Sequence, residues 1–409
     1  MQQKTLLTFS GADTKEIFLK YLSKKSIFKD KKVLTHSYFP DKILHRDKEI
    51  AQISSILAPA LKYYQPSNIF IYGGVGTGKT ICVRQVLNQL NNVARENKID
   101  IKTIYINCKL KKVADTEYRL LAQLLNEIGV VVPDTGLPTD VLYHKFFKEI
   151  DSKERVVIIV LDEIDALVRK VGDEFLYNFT RINTELKNAK ISLIGITNNL
   201  IFSNNLDARV KSSLGEEEII FHPYNAVQLK DILEDRAEKA FKPGVVSKGI
   251  LNKCAALAAQ EHGDARRALD LLRVAGEIAE RAGRSMITEE DVDLADQKID
   301  LNHIIESVKT LPRQSQAVLY SIIKLTEEGY KKILTGDVFD RYKEICQRSS
   351  LRVLTQRRIS DLLSELDILG IINAKVISKG RYGRTREISL NISQDILTHV
   401  KKLIALNFD

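Results

Sequence analysis

The stretch GGVGTGKT, Gly73–Thr80, decides the fold. It fits G-x-x-x-x-G-K-[ST], with Gly73, Gly78, Lys79 and Thr80 at the fixed positions. An apolar, β-branched run, NIFIY (68–72), enters it, and a helix-patterned segment (79–97) leaves it. The glycines let successive backbone N–H groups converge without Cβ clashes, and the helix N-terminus adds partial positive charge. Such a loop cradles phosphate oxygens. Gly74, Val75, Gly76, Thr77, Gly78, Lys79, Thr80 and Ile81 are therefore the expected ATP-binding set. Lys79 is expected to reach the β- and γ-phosphates, and Thr80 to offer its hydroxyl to Mg²⁺.

Working outward, three more short apolar runs follow: KTIYINC (102–108), VVIIVLDEID (156–165) and ISLIGITN (191–198). Helix-patterned segments separate them, which implies a mostly parallel sheet covered on both faces. The run at 156–165 carries Asp162 and Glu163. Beside a phosphate-binding loop, Asp162 is expected to hold Mg²⁺ and Glu163 to polarise an attacking water; alone, the pair could equally cap a helix. Asn198 ends the next run, where an amide can hydrogen-bond that water or the γ-phosphate. On spacing alone it is a turn residue. Arg209, in LDARVKSSL (206–214), could meet a neighbouring subunit's nucleotide or form a local surface ion pair. Arg266, in GDARRALDLL (263–272), follows Asp264 as helix cap. It could aim a guanidinium at the phosphates or be a solvated helix arginine.

From Pro223 to about residue 298 the pattern is helical only. From about 302 onward, helical patterns at 303–326, 335–347 and 355–369 precede two β-prone runs joined by KGRYGRT. Three helices and a ribbon follow the order of a winged helix. Its expected recognition helix opens at Thr355, Gln356, Arg357 and Arg358, where Gln pairs with adenine and Arg with guanine. The expected wing carries Lys379, Arg381, Tyr382, Arg384 and Arg386, interleaved with Gly380 and Gly383. Its cations suit a narrow minor groove. Arg341, Lys343, Arg348 and Arg352 are expected to add phosphate contacts.

The 409 residues correspond to about two to four domains. With 44% hydrophobic and 28% charged residues, the chain reads as ordinary globular composition rather than disorder. A formal charge of +9 is compatible with a polyanionic partner. The four cysteines are far apart and form no CxxC pair, so neither a disulfide framework nor a zinc site is expected, and a reducing cytosol fits. No apolar run approaches the roughly 20 residues that span a bilayer. The N-terminal MQQKTLLTFS lacks the pattern of a secretory signal.

Taken together these residues resemble an AAA+ ATPase, and within that group an archaeal replication initiator of the origin-recognition-complex family. LHRDKEI (44–50), LDARVKSSL, FHPYNAVQLKDILEDR (221–236) and GDARRALDLLR carry the resemblance, which runs from about residue 36 to 390. It implies an α/β fold: a P-loop AAA+ core with a parallel sheet (36–222), a helical lid (223–300) and a C-terminal winged-helix domain (301–409). Residues 1–35 would be an N-terminal arm. It makes Asn198 sensor 1, Arg209 the arginine finger, Arg266 sensor 2, Tyr224 a residue near the adenine, and His45 and Arg46 an adenine-side pair. Ala208 departs from the family, which often carries proline there. The segment 109–150 has room for an initiator-specific helical insertion, whose exposed loop resembles 131–140. ATP or ADP with Mg²⁺ would be the ligands, and hydrolysis a slow regulatory switch. Origin duplex, the replicative helicase and identical or paralogous initiator subunits would be the partners, in the cytoplasm at the nucleoid. The alternatives are a winged-helix signalling ATPase of the STAND type, a clamp-loader-like remodeller, and a transcription regulator with structural ATP.

Overall fold

A computed structural model describes residues 26–109, 115–133, 135–378, 384–392 and 394–408. It divides into two compact units, with the division after Val292.

The first unit is built on strands β1 (Asn68–Gly73), β2 (Ile101–Asn107), β3 (Arg155–Asp162), β4 (Ala189–Thr197) and β5 (Glu216–Phe221). They form one sheet in the order β2-β3-β4-β1-β5, and every pairing is parallel. Strand parity sorts the core. Ile69, Ile71, Val156, Ile158, Val160, Ile194 and Ile196 face one side, where α1 (Asp47–Leu57) and α2 (Lys79–Glu96) cover them. Phe70, Tyr72, Val157, Ile159, Leu161 and Leu193 face the other. There α3 (Glu117–Glu127), α4 (Thr139–Ile150), α5 (Ile164–Val171) and α6 (Glu174–Arg181) bury Leu120, Leu124, Phe146, Leu167 and Phe175. Continuous burial along β1 and β3 is what a strand covered on both faces requires.

Register sets the functional edge. Asn107 pairs with Asp162, Asp162 with Ile196, and Tyr72 with Thr197. The C-terminal strand ends therefore share one rim, where open α/β sheets bind ligands. A short helix, α7 (Ala208–Leu214), leads into β5. That strand was absent from the sequence reading because EEEIIF lacks a continuous apolar run. It is an edge strand, so its glutamates need no burial.

The lid consists of α8 (Ala226–Ala240), α9 (Lys248–Gln260) and α10 (Ala265–Arg281). Asn225 caps α8 reciprocally with Gln228, Ser247 caps α9, and Asp264 caps α10. Residues 26–35, part of the expected N-terminal arm, lie across these helices. Lys29 N donates to Ala240 O (2.8 Å), and Lys242 N donates to Ile27 O (3.0 Å). Lys31 Nζ meets Glu277 at 2.6 Å, and His36 Nε2 meets Asp270 at 2.9 Å. Burial of Asp270 opposes its ionisation, but His36 and Arg273 outweigh that and hold its pKa below the usual range.

Helix α11 (Glu289–Thr310) carries the chain past the division, and Pro312 ends the break before α12 (Arg313–Glu327). The helix break falls near residue 311. In the second unit, α12, α13 (Thr335–Arg348) and α14 (Gln356–Ile368) pack around Tyr320, Tyr342, Leu363 and Ile388. Strands β6 (Ile333–Leu334), β7 (Ile372–Ser378) and β8 (Arg384–Leu390) form an antiparallel sheet in the order β6-β8-β7, and α15 (Gln394–Ala405) follows. The short β6 and the terminal α15 extend the expected three helices and ribbon. All four cysteines are buried. No described helix is long and apolar enough to cross a membrane.

The packing of the N-terminal segment on the lid makes a prediction at Gly276. A Cβ there would stand 2.7 Å from the Phe28 ring and 2.8 Å from the Phe241 ring. Gly276→Ala gains about 1 kcal/mol of helix propensity but overpacks two rings at about 1–3 kcal/mol. The expected outcome is a lower denaturation midpoint for the first unit. A raised midpoint would show that the segment is not seated there.

Candidate nucleotide site

The rim of the sheet and the lid together enclose a cavity of about 480 Å³, within the roughly 300–1,000 Å³ of small-molecule sites. Val75, Gly76, Thr77, Gly78, Lys79, Thr80 and Ile81 line one end. Asp162, Glu163, Asn198, Tyr224 and Arg266 also line it. The structure therefore brings most of the expected ATP-binding and catalytic residues to one place.

Lys79 is 6% exposed, and its ammonium donates to Gly73 O (2.8 Å), Gly74 O (2.7 Å) and Asn198 Oδ1 (2.8 Å). All three acceptors are neutral. Burial lowers its pKa to about 8; Asp162, Asp264 and Glu163 oppose that shift, and Arg266 adds to it. Thr80 Oγ1 donates to Asp162 Oδ2 at 2.8 Å, and the Glu163 amide donates to Asp162 Oδ1 at 3.0 Å. The hydroxyl–carboxylate pair is the donor set a Mg²⁺ ion takes beside phosphates. Glu163 turns at φ 56°, and its carboxylate lies 3.3 Å from Lys109 Nζ.

At Gly76, φ is 68° and a Cβ would overlap the Asp264 carboxylate, so the close approach of the lid to the loop there requires glycine. One feature beyond the motif itself fits a nucleotide. The Arg236 guanidinium lies 4.5 Å from the Tyr38 ring centroid and lines the other end of the cavity, and its Nη1 is buried without an acceptor. Tyr38, Phe39, Ile43 and Ile232 make that end apolar, as a base requires.

Several residues sit elsewhere than expected. His45 and Arg46 do not line the cavity. Arg46 is buried behind the phosphate loop and His45 pairs with Asp231, so neither is placed as an adenine-side ligand. Arg209 also lies off the cavity. Its side chain is 83% exposed and pairs with Asp207, the cap of α7. Residues 35–44 supply a wall that the motifs did not predict. Tyr105 was missed as well. Its hydroxyl donates to Asp162 Oδ2 (2.5 Å), and Arg84 lies 4.2 Å from its ring centroid. Burial first, then Asp162, pushes the Tyr105 pKa up. Period-two alternation from Asn107 at the strand end was the available signal.

In the second unit, Thr355 caps α14, and Gln356, Arg357 and Arg358 are exposed in its first turn. Arg348 and Arg352 are exposed, whereas Arg341 pairs with Glu328 and Glu344, and Lys343 with Asp340. Arg386 turns inward: Nη1 donates to Ser364 Oγ (2.7 Å) and Ser360 O (3.1 Å) of α14, so it orients the helix rather than serving the wing. Lys379, Gly380, Arg381, Tyr382 and Gly383 lie outside the described residues, and Arg384 is described only as the first residue of β8.

The lowered Lys79 pKa makes a prediction with a sign. The ammonium is charged below pH 8 and loses its proton as pH rises through 8. Phosphate favours the charged form, so binding above pH 8 takes up a proton and weakens by up to roughly tenfold per pH unit. Calorimetry with inorganic pyrophosphate in buffers of different ionisation enthalpy measures this uptake. An affinity independent of pH from about 8 to 9.5 contradicts the assignment.

Three domain families match the chain: an "AAA domain" over residues 62–200, a "Cdc6 AAA+ ATPase-type lid domain" over 230–297, and the "CDC6, C terminal winged helix domain" over 306–400. An ORC1-type DNA replication protein of Pyrococcus abyssi is 56% identical over 382 residues, 92% of this chain and 90% of that protein. ORC1-type DNA replication protein 1 of Methanosarcina mazei is 53% identical over 378 residues, 92% and 90% of the two chains. The structure of the Aeropyrum pernix ORC1 protein in complex with DNA superposes with a TM-score of 0.82 at 45% identity, covering 93% of this chain and 98% of that one. The parallel AAA+ core, helical lid and winged helix expected from the sequence are thus present, and the chain belongs to the family of ORC1-type DNA replication proteins.

Proposed function

We propose that this chain is an ATP-regulated replication initiator that recognises origin duplex DNA through its winged helix. The observation that carries this reading is the 45% identity to a DNA-bound ORC1 protein across nearly the whole chain. Exposed Gln356, Arg357 and Arg358 at the N-terminus of α14 support it. The wing residues and the 131–140 loop are further candidate DNA contacts, and α14 is the primary one.

In this reading ATP is the substrate of a slow switch. Backbone amides of residues 74–80 and the Lys79 ammonium bind its phosphates, with Arg266 approaching from the lid. Mg²⁺, when bound at Thr80 and Asp162, supplies neutralisation of developing charge. Glu163 orients the attacking water and accepts its proton, and Asn198 holds Lys79 and the water in place. Arg209 lies off its own cavity and is exposed, which suits an arginine donated to a neighbouring initiator subunit. A single chain then hydrolyses slowly, because charge stabilisation depends on that second arginine. The nucleotide state would govern recruitment of the replicative helicase. The signalling and remodelling alternatives need no base-reading surface on α14.

Fluorescence anisotropy across a salt series tests the reading. Fragments from the source genome's replication start are compared with a pool of random duplexes. One fragment should bind far more tightly than the pool, and Arg357→Ala/Arg358→Ala should cut that preference by about 1–3 kcal/mol per lost base contact. Equal binding of all duplexes by the wild type would contradict origin recognition.

A further inference from the structure

Arg46 is tied to three parts of the first unit at once. It is the N-cap of α1 and is 4% exposed. His45 before it stands at φ 58°, and this left-handed turn sends the two side chains to different partners. His45 Nε2 lies 2.8 Å from Asp231 Oδ2 on α8. The Arg46 guanidinium enters the core instead. Its Nε donates to Thr77 O in the phosphate loop (3.0 Å), and its Nη2 donates to His222 O (2.6 Å), in the hinge between β5 and α8. Its Nη1 donates to Glu49 Oε1 (2.9 Å). The guanidinium carbon stands 4.0 Å from the Tyr224 ring centroid and 5.3 Å from that of Phe221.

The hinge is tied onward. Tyr224 N donates to Gly263 O at 3.2 Å, and Ala265 N, at the start of α10, donates to Gly76 O at 3.3 Å. Phosphate loop, Arg46, hinge and lid helix form a closed circuit of hydrogen bonds. We propose that Arg46 is a positioning residue for the nucleotide site. It fixes the phosphate loop at Thr77 and couples that loop to the lid hinge, without touching the nucleotide. This inference rests on the nucleotide-binding reading above. A planar fork is needed because two carbonyls from separate segments and a carboxylate must be met together; a lysine ammonium, a single point donor, cannot span them.

The test uses the full chain with Mg²⁺ and measures affinity for ADP and for inorganic pyrophosphate, which lacks a base. Arg46→Lys should lose at least tenfold for both probes, in equal proportion, while retaining its far-ultraviolet circular dichroism. Arg46→Gly should lose as much and recover when millimolar guanidinium, but not sodium, chloride is added. A merely structural role would not respond to that ion at constant fold. Loss for ADP alone would make Arg46 a base contact and overturn the proposal, as would unchanged affinity for both. If Arg46→Gly does not fold, Arg46→Lys decides alone. Failure of the wild type to bind either probe would instead sink the nucleotide reading.

Discussion

Lys79 carries a charge in a buried place, and every acceptor within its reach there is neutral. A desolvated ammonium satisfied by two loop carbonyls and an asparagine is held at a cost, which its lowered pKa records. An anion restores the balance. The rest of the first unit is arranged around that requirement. The parallel sheet brings Asp162, Asn107 and Thr197 to the same rim as the loop, because in-register parallel strands end together. The central strands β1 and β3 are buried along their length, so that rim is positioned by the sheet.

The lid closes on this rim through short polar contacts. Asp264 does two jobs from one position: it caps α10 and packs its carboxylate against Gly76. Residues 26–45 make their polar contacts to the lid helices, yet they also wall the far end of the cavity. A ligand filling the cavity therefore touches the core at its phosphate end and, at its base end, the lid with the strap formed by residues 35–44. Population of the closed arrangement then depends on what fills the space between them.

Contiguous chemistry was legible in the sequence. The phosphate loop and the Asp162–Glu163 pair sit on short local patterns, whereas Asn198 and Arg266 were picked out by the family resemblance, and all of them lie at the cavity. The winged-helix order was legible for the same reason, since three helical periods and a ribbon are local signals. What escaped is non-local. Tyr105 matters because β2 lies beside β3, and the pairing of those strands is not written in either run alone. The wall at residues 35–44 depends on packing against helices more than two hundred residues away in sequence, as His36 does against Asp270. The edge strand β5 lacked apolar continuity because one edge of it needs no partner. The adenine-side reading of Arg46 had the right neighbourhood and the wrong face: the left-handed turn at His45, invisible in composition, sends the guanidinium behind the loop.

The central claim is that one ligand bridges the sheet rim and the lid with its strap. Hydrogen–deuterium exchange with and without saturating ADP and Mg²⁺ tests it directly. Added protection is expected in three separated segments together: the phosphate loop at 73–80, the strap at 35–44 and the lid turn at 262–266. Protection confined to the phosphate loop, with the strap and the lid turn exchanging as before, would contradict it.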